Sequence, residues 1–166
     1  KLPSKFEIKL NNSGLGLNFE QINFTENENY IILKNLKISE DFKIQSIDEI
    51  DVKFLNENGV LNNFKIKKSL SNYNLIGEHI DGEKLVELLL SSNNKNKVFK
   101  FFDNINSSVI INLNKIYLEK NEYLENLIGE FEIKDNKLFL AKADAVLNTK
   151  HKFSYSYRTT IKNEKI

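Results

Sequence analysis

The sequence contains no cysteine, so neither a disulfide framework nor a thiolate metal site can be built from it. Methionine is absent too, position 1 included, and the chain opens Lys1-Leu2-Pro3. That opening predicts a processed product or a piece of a longer protein, with any signal peptide or anchor lying upstream. Charge of one sign is not in excess. The 24 basic and 23 acidic residues leave a formal net charge of +1, and the basic residues are scattered among acids rather than set in a stripe with aromatics. Nucleic acid is therefore not an expected partner. The longest apolar runs are only a few residues, too short to span a bilayer, and 40% hydrophobic content with a mean hydropathy of -0.42 suits a soluble protein. At 166 residues the chain has room for one domain and not for two well-separated ones.

Motifs of catalysis are also missing. Gly14-Leu15-Gly16 is followed by neither a helix nor the Lys-Ser/Thr ending of a phosphate loop, and no Gly-x-Ser-x-Gly elbow occurs. His79 and His151 have no second histidine or acid at ligand spacing and read as turn histidines. The densest acidic cluster is Asp48, Glu49 and Asp51; on a strand, Glu49 and Asp51 share a face opposite Ile50 and Val52, which fits a solvated face better than a calcium loop. Glu83 and Glu87 lie one helical turn apart beside Lys84, as on an exposed helix face. No pair of carboxylates is singled out for glycoside hydrolysis. No catalytic residue, cofactor or metal is expected.

What the chain does have is alternation. Phe6 to Leu10 alternates apolar and polar residues, the pattern of a half-buried strand. The alternation resumes at Leu15, Leu17 and Phe19 and then changes parity at Ile22 and Phe24. Strands are expected over Tyr30 to Ile38, over a long run from Phe42 to Phe54 that shifts parity between Ile44 and Ile47, and over Val60 to Ile66 and Tyr73 to Ile80. A parity shift within a strand is what a β-bulge produces. Asn56-Glu57-Asn58-Gly59 is a strong hairpin signal. A second β-run comprises Val109 to Leu118, Leu124 to Ile133, Leu138 to Leu147 and Phe153 to Ile161. Between the two runs, about 5–80 and 107–161, one short helix is predicted over 82–90. Asp81 is its N-cap candidate, and its far end, from Leu85 to Leu90, is apolar. A polar linker follows over 91–97, and Val98 to Phe102 reads as a short helix or an anchor for that linker.

The tetrad Leu-x-Asn-(Leu/Phe) occurs three times, each after a polar turn: Leu33-Lys34-Asn35-Leu36, Leu61-Asn62-Asn63-Phe64 and Leu124-Glu125-Asn126-Leu127. A strand, a polar turn and a strand opening with the same tetrad form a repeated hairpin unit, and repeated units stack into extended arrays.

The stretch Asn74-Leu75-Ile76-Gly77-Glu78-His79-Ile80-Asp81-Gly82-Glu83-Lys84-Leu85-Val86-Glu87-Leu88-Leu89 resembles a motif of the AsmA-like superfamily, a strand ending in Gly, an apolar residue and Asp before a short helix ending in Leu-Leu. Ile110 to Leu118 followed by Tyr123-Leu124-Glu125-Asn126-Leu127-Ile128-Gly129 is similar to the next segment of that superfamily, and the resemblance covers roughly 41–157. It implies a slice of a large envelope protein of Gram-negative bacteria, anchored in the inner membrane by a helix outside this chain. The periplasmic part of such a protein is a long curved sheet with a hydrophobic groove, implicated in phospholipid transport and outer-membrane biogenesis. The chain departs from the family in lacking the anchor helix and in being far shorter.

The expected fold is therefore mostly β: a single β-rich domain or β-groove slice over 1–166, made of an antiparallel, strongly curved and twisted sheet carrying the one helix. The residues expected to face a groove are Ile50, Val52, Phe54, Phe64, Ile66, Val109, Ile111, Leu113, Phe131, Ile133, Leu138, Leu140, Phe153, Tyr155 and Tyr157. On this expectation the partners are phospholipid acyl chains and other envelope proteins. The alternatives are an ordinary closed core at the same positions, and a β-sandwich or solenoid module that binds another protein by strand addition.

Overall fold

The computed structural model describes residues 4–11, 16–83, 106–119, 121–135 and 137–159, and those residues form one open sheet. Its strands are β1 (Lys5–Asn11), β2 (Leu17–Glu26), β3 (Asn29–Ile38), β4 (Ile44–Ser46), β5 (Glu49–Leu55), β6 (Leu61–Ser69), β7 (Asn72–Asp81), β8 (Ser107–Glu119), β9 (Glu122–Lys134), β10 (Lys137–Leu147) and β11 (Lys152–Arg158). Their order across the sheet is the order of the sequence, β1-β2-β3-β5-β6-β7-β8-β9-β10-β11, with the short β4 paired to β3. Antiparallel strands that pair with their sequence neighbours need only hairpin turns, and polar turns supply several of them. At Asn56–Gly59 the Gly59 N–H donates to the Asn56 carbonyl over 3.1 Å, with Gly59 at φ +76°. At the β2–β3 turn Asn27 takes the left-handed conformation that asparagine tolerates.

Two expectations are corrected. The sheet is mixed rather than wholly antiparallel, because β7 and β8 run parallel in unbroken register from Asn72↔Ser108 to Asp81↔Tyr117. Parallel neighbours cannot be joined by a tight turn, so β7 and β8 do not form a hairpin. The long strand expected over Phe42 to Phe54 is two strands, β4 and β5, separated at Ile47 and Asp48. There Asp48 bridges both neighbours: its N–H donates to the Lys34 carbonyl, and its own carbonyl accepts from Lys68 N–H over 2.8 Å. The helix expected over 82–90 lies, from residue 84 onward, outside the described residues, as do the linker over 91–97 and Val98 to Phe102, and no helix stands among the described residues. The Asp81 carboxylate does accept from Glu83 N–H over 3.1 Å, the bond an N-cap makes.

All three tetrads sit at irregularities of the sheet. Asn35 and Asn126 adopt φ +50° and +54° in mid-strand, and the β6–β7 register slips between Asn63 and Phe64. The β9–β10 register likewise shifts near Asn126, between Asp144 and Val146. A bulge lets Leu124 and Leu127, an odd number of residues apart, both enter the core, at 5% and 8% exposure. The first and third tetrads therefore mark places where the alternation changes parity, whereas at the second β6 stays in unbroken register with β5 and the extra residue is Glu78 of β7. That core lies on β8 to β10 and comprises Ile111, Leu113, Ile116, Leu124, Leu127, Ala143 and Ala145.

Candidate functional site: the apolar face

The register assembles the apolar positions into rows that cross the sheet. One row runs through all ten strands of the main path as Ile8, Ile22, Leu33, Ile50, Ile66, Leu75, Ile111, Gly129, Ala143 and Tyr155. The next is Phe6, Phe24, Ile31, Val52, Phe64, Gly77, Leu113 and Leu127. A third, shorter row is Tyr73, Val109, Phe131, Ala141 and Tyr157. Directly opposed residues on neighbouring strands share a face, and side chains alternate along each strand. The three rows therefore form one continuous apolar face.

Between these rows lies the other face. Glu7, Asn23, Ile32, Asp51, Lys65, Ile76, Asn112, Ile128, Asp144 and Ser154 are opposed in turn. Two ion pairs stand on it between β3 and β6: Lys34 Nζ meets Glu49 Oε1 at 2.7 Å, and Lys65 Nζ meets Asp51 Oδ2 at 2.6 Å. The Lys34 hydrogen bond holds the Glu49 carboxyl below its ordinary value, and the Asp51 hydrogen bond raises the Lys65 ammonium. Burial raises the Tyr30 hydroxyl, with Asp51 adding to the effect. Glu49 and Asp51 do share a face opposite Ile50 and Val52, but their side chains are only 13% and 19% exposed, so they are lysine-paired and half-buried rather than fully solvated.

Small residues set the relief of the apolar face. A Cβ on Gly77 would lie 2.6 Å from the Asn63 carbonyl oxygen and 2.6 Å from Phe64 Cβ, so only glycine lets β7 pass this close to β6 at the slip. Ala141, Ala143 and Ala145 on β10 stand opposite Tyr157, Tyr155 and Phe153 of β11 and are buried. Burial along the face is uneven. Leu113 is 1% exposed, whereas Ile8 and Tyr155, at the two ends of the longest row, are 46% and 47% exposed.

The expected groove residues distribute over this pattern. Ile50, Ile66, Ile111 and Tyr155 fall in the first row; Val52, Phe64 and Leu113 in the second; Val109, Phe131 and Tyr157 in the third. Phe153 opposes Ala145, Ile133 opposes Leu138, and Phe54 continues β5 opposite Asn62. Leu140 is set apart: the shift between Leu138 and Leu140 puts it opposite Glu132 and Arg158. Sequence reasoning left out Ile8, Ile22, Leu33, Phe24, Ile31 and Leu75, which extend the same rows. Their alternation was legible, but only the register joins them to the rest.

His79, expected in a turn, lies instead in β7 opposite Asn63 and Lys115, with its ring 6.5 Å from that of Tyr117, and its Nδ1 is buried without a hydrogen-bond partner. Lys115 Nζ sits 4.0 Å from the centre of the Tyr123 ring. His151 is exposed in the β10–β11 turn, 3.1 Å from Thr149 Oγ1. Among the described residues no three acids or histidines are grouped to hold a metal ion, and no helix is long and apolar enough to cross a membrane. No family model, no curated protein and no solved structure matches the chain.

Proposed function

We propose that the chain is a non-enzymatic lipid-handling segment that holds phospholipid acyl chains along its apolar face. The observation that carries this is the row from Ile8 to Tyr155, which is apolar at every position across a single sheet and grows more exposed toward both edges. Acyl chains need a dry apolar wall and little else, so recognition of this kind leaves no sharp polar motif. A contiguous apolar surface of this breadth marks a site for a ligand or partner. In this proposal the sheet is strongly curved into a groove and belongs to the periplasmic part of a protein anchored in the inner membrane. It would serve phospholipid transport and outer-membrane biogenesis, as the resemblance to the AsmA-like superfamily implies.

Titrating the purified chain with a phospholipid that carries an environment-sensitive fluorophore on one acyl chain tests the proposal. Saturable enhancement, reversed by unlabelled phospholipid and weakened in the Ile66→Glu variant, is expected. Absence of enhancement, or equal enhancement in that variant, contradicts it. Among the described residues β1 and β11 have a neighbouring strand on one side only, which favours a second role in which a protein partner adds a strand to the sheet. The described residues form one sheet rather than the two of a sandwich.

A further inference from the structure

Among the described residues β1 and β11 each have a neighbouring strand on one side only, and the two edges differ in what they invite. Every residue of β1 is exposed, including Phe6 at 62%, Ile8 at 46% and Leu10 at 60%. Such an edge is normally protected by charges that repel a second strand. On β1 the charges alternate in sign: Lys5, Glu7 and Lys9 lie on one face, and Phe6, Ile8 and Leu10 on the other.

We propose that β1 is a self-complementary docking edge, pairing antiparallel about Ile8 with β1 of a second copy to join two sheets into one. With Ile8 opposite Ile8 of the second copy, Glu7 falls opposite Lys9 and Lys9 opposite Glu7. Phe6 falls opposite Leu10 in both directions, and Lys5 opposite Asn11. Each pair directly across an antiparallel ladder is in contact, and opposite charges or apolar pairs there are stabilising. The two-fold axis stands perpendicular to the sheet. The apolar faces of both copies therefore lie on the same side, and the rows starting at Phe6 and Ile8 run on into the second sheet. The interface is closed and isologous, so association stops at two chains.

Charge disfavours the registers centred on Glu7 and on Lys9, while centring on Phe6 overlaps only Lys5 to Glu7 and centring on Leu10 only Lys9 to Asn11. Centring on Glu7 sets Glu7 against itself and Lys5 against Lys9; centring on Lys9 sets that lysine against itself. Pairing β11 with its own copy about Tyr155 sets Lys152 against Arg158 on both sides. Eight of the nine pairings along the sheet are antiparallel and one is parallel, so β1 and β11 point the same way. Joining them by simple translation would make a parallel, open-ended contact with no closure. The pairing uses the backbone edge of β1 and does not depend on whether the apolar face takes acyl chains.

Sedimentation equilibrium on the intact chain tests this through charge exchange. Wild type should reach twice the 19.3 kDa chain mass as concentration rises. Glu7→Lys and Lys9→Glu each turn two attractive pairs into two repulsive ones and should weaken self-association about ten-fold or more. Mixing these two variants should give a heterodimer, and the double variant Glu7→Lys/Lys9→Glu should regain the wild-type mass. Both positions are exposed, so each variant should keep the wild-type circular dichroism. A wild type that stays at single-chain mass, single variants that associate as tightly as wild type, or a mixture that stays monomeric would overturn the proposal.

Discussion

Replacing Leu113 by alanine probes the packing of the sheet at its most enclosed point. Leu113 is 1% exposed and sits on β8 between Gly77 of β7 and Leu127 of β9. The substitution deletes three carbons, about 2.4 kcal/mol of transfer free energy at roughly 0.8 kcal/mol per carbon. A cavity term is added because the surroundings collapse only in part. Collapse is hindered here: Gly77 has no side chain to move into the space, and its backbone is held against Phe64. The total is about 3–4 kcal/mol, within the range for buried leucines. In urea, with an m-value of roughly 2 kcal/mol/M for a chain of this size, the midpoint should fall by about 1.5–2 M. Ile8→Ala is the control on the same face. At 46% exposure roughly half of that side chain is already in water, so the loss should be about 1 kcal/mol. Equal midpoint shifts for the two variants, or a Leu113→Ala cost below about 1 kcal/mol, would refute the assignment of the core to β8–β10.

Three further outcomes are expected. Gly77→Ala brings a methyl against the backbone of Asn63 and Phe64, which cannot yield cheaply, and should destabilise by about 1–3 kcal/mol by thermal or urea unfolding. Asn126→Val should cost about 1–2 kcal/mol because a β-branched residue resists φ +54°, whereas Asn126→Gly should be nearly neutral; similar losses for both would place the effect in the asparagine side chain instead. Glu49 contributes a pH dependence of known sign. Its carboxyl is held below its ordinary value of 4.5, first by the hydrogen bond from Lys34. Its stabilisation is therefore full above pH 4.5 and lost as pH falls through the lowered folded value. Lys34→Gln should flatten that part of the acid limb in unfolding curves taken at stepped pH, and an unchanged limb would remove the pair from the account.

The strands were legible because apolar and polar residues alternate almost everywhere, and the turns because Asn, Asp and Gly cluster where the chain reverses. The parity changes at Phe19/Ile22 and Ile44/Ile47 were visible too; they became a register shift beside Lys9/Leu10 and the break between β4 and β5. The parallel pairing of β7 and β8 was not legible, since hydrophobic alternation is identical for a strand and its reverse. The turn at Leu70 was hidden for a different reason. A leucine at φ +56° and 95% exposure lacks the turn chemistry that sequence reading relies on. Of the candidate face, the central residues from Ile50 to Leu113 could be named from alternation alone. Their alignment with Ile8, Ile22 and Leu33 at one edge depends on register, which pairs residues far apart in sequence. Leu140 alternates correctly but stands opposite Glu132, because the shift at Leu138/Leu140 displaces it by one position.

The claim that the apolar face takes acyl chains is tested most directly by native mass spectrometry of the purified chain, followed by organic extraction and lipid analysis. The substitutions belong at Ile50 and Ile66, which are half-buried on the longest row. A charge at Val52 or Ile111, 9% and 6% exposed, would disrupt folding before it emptied a ligand surface. The expected result is a population heavier than the bare chain by the mass of phospholipid, lost in Ile50→Glu and Ile66→Glu while their circular dichroism is unchanged. A bare mass with no extractable lipid in the wild type would contradict the account.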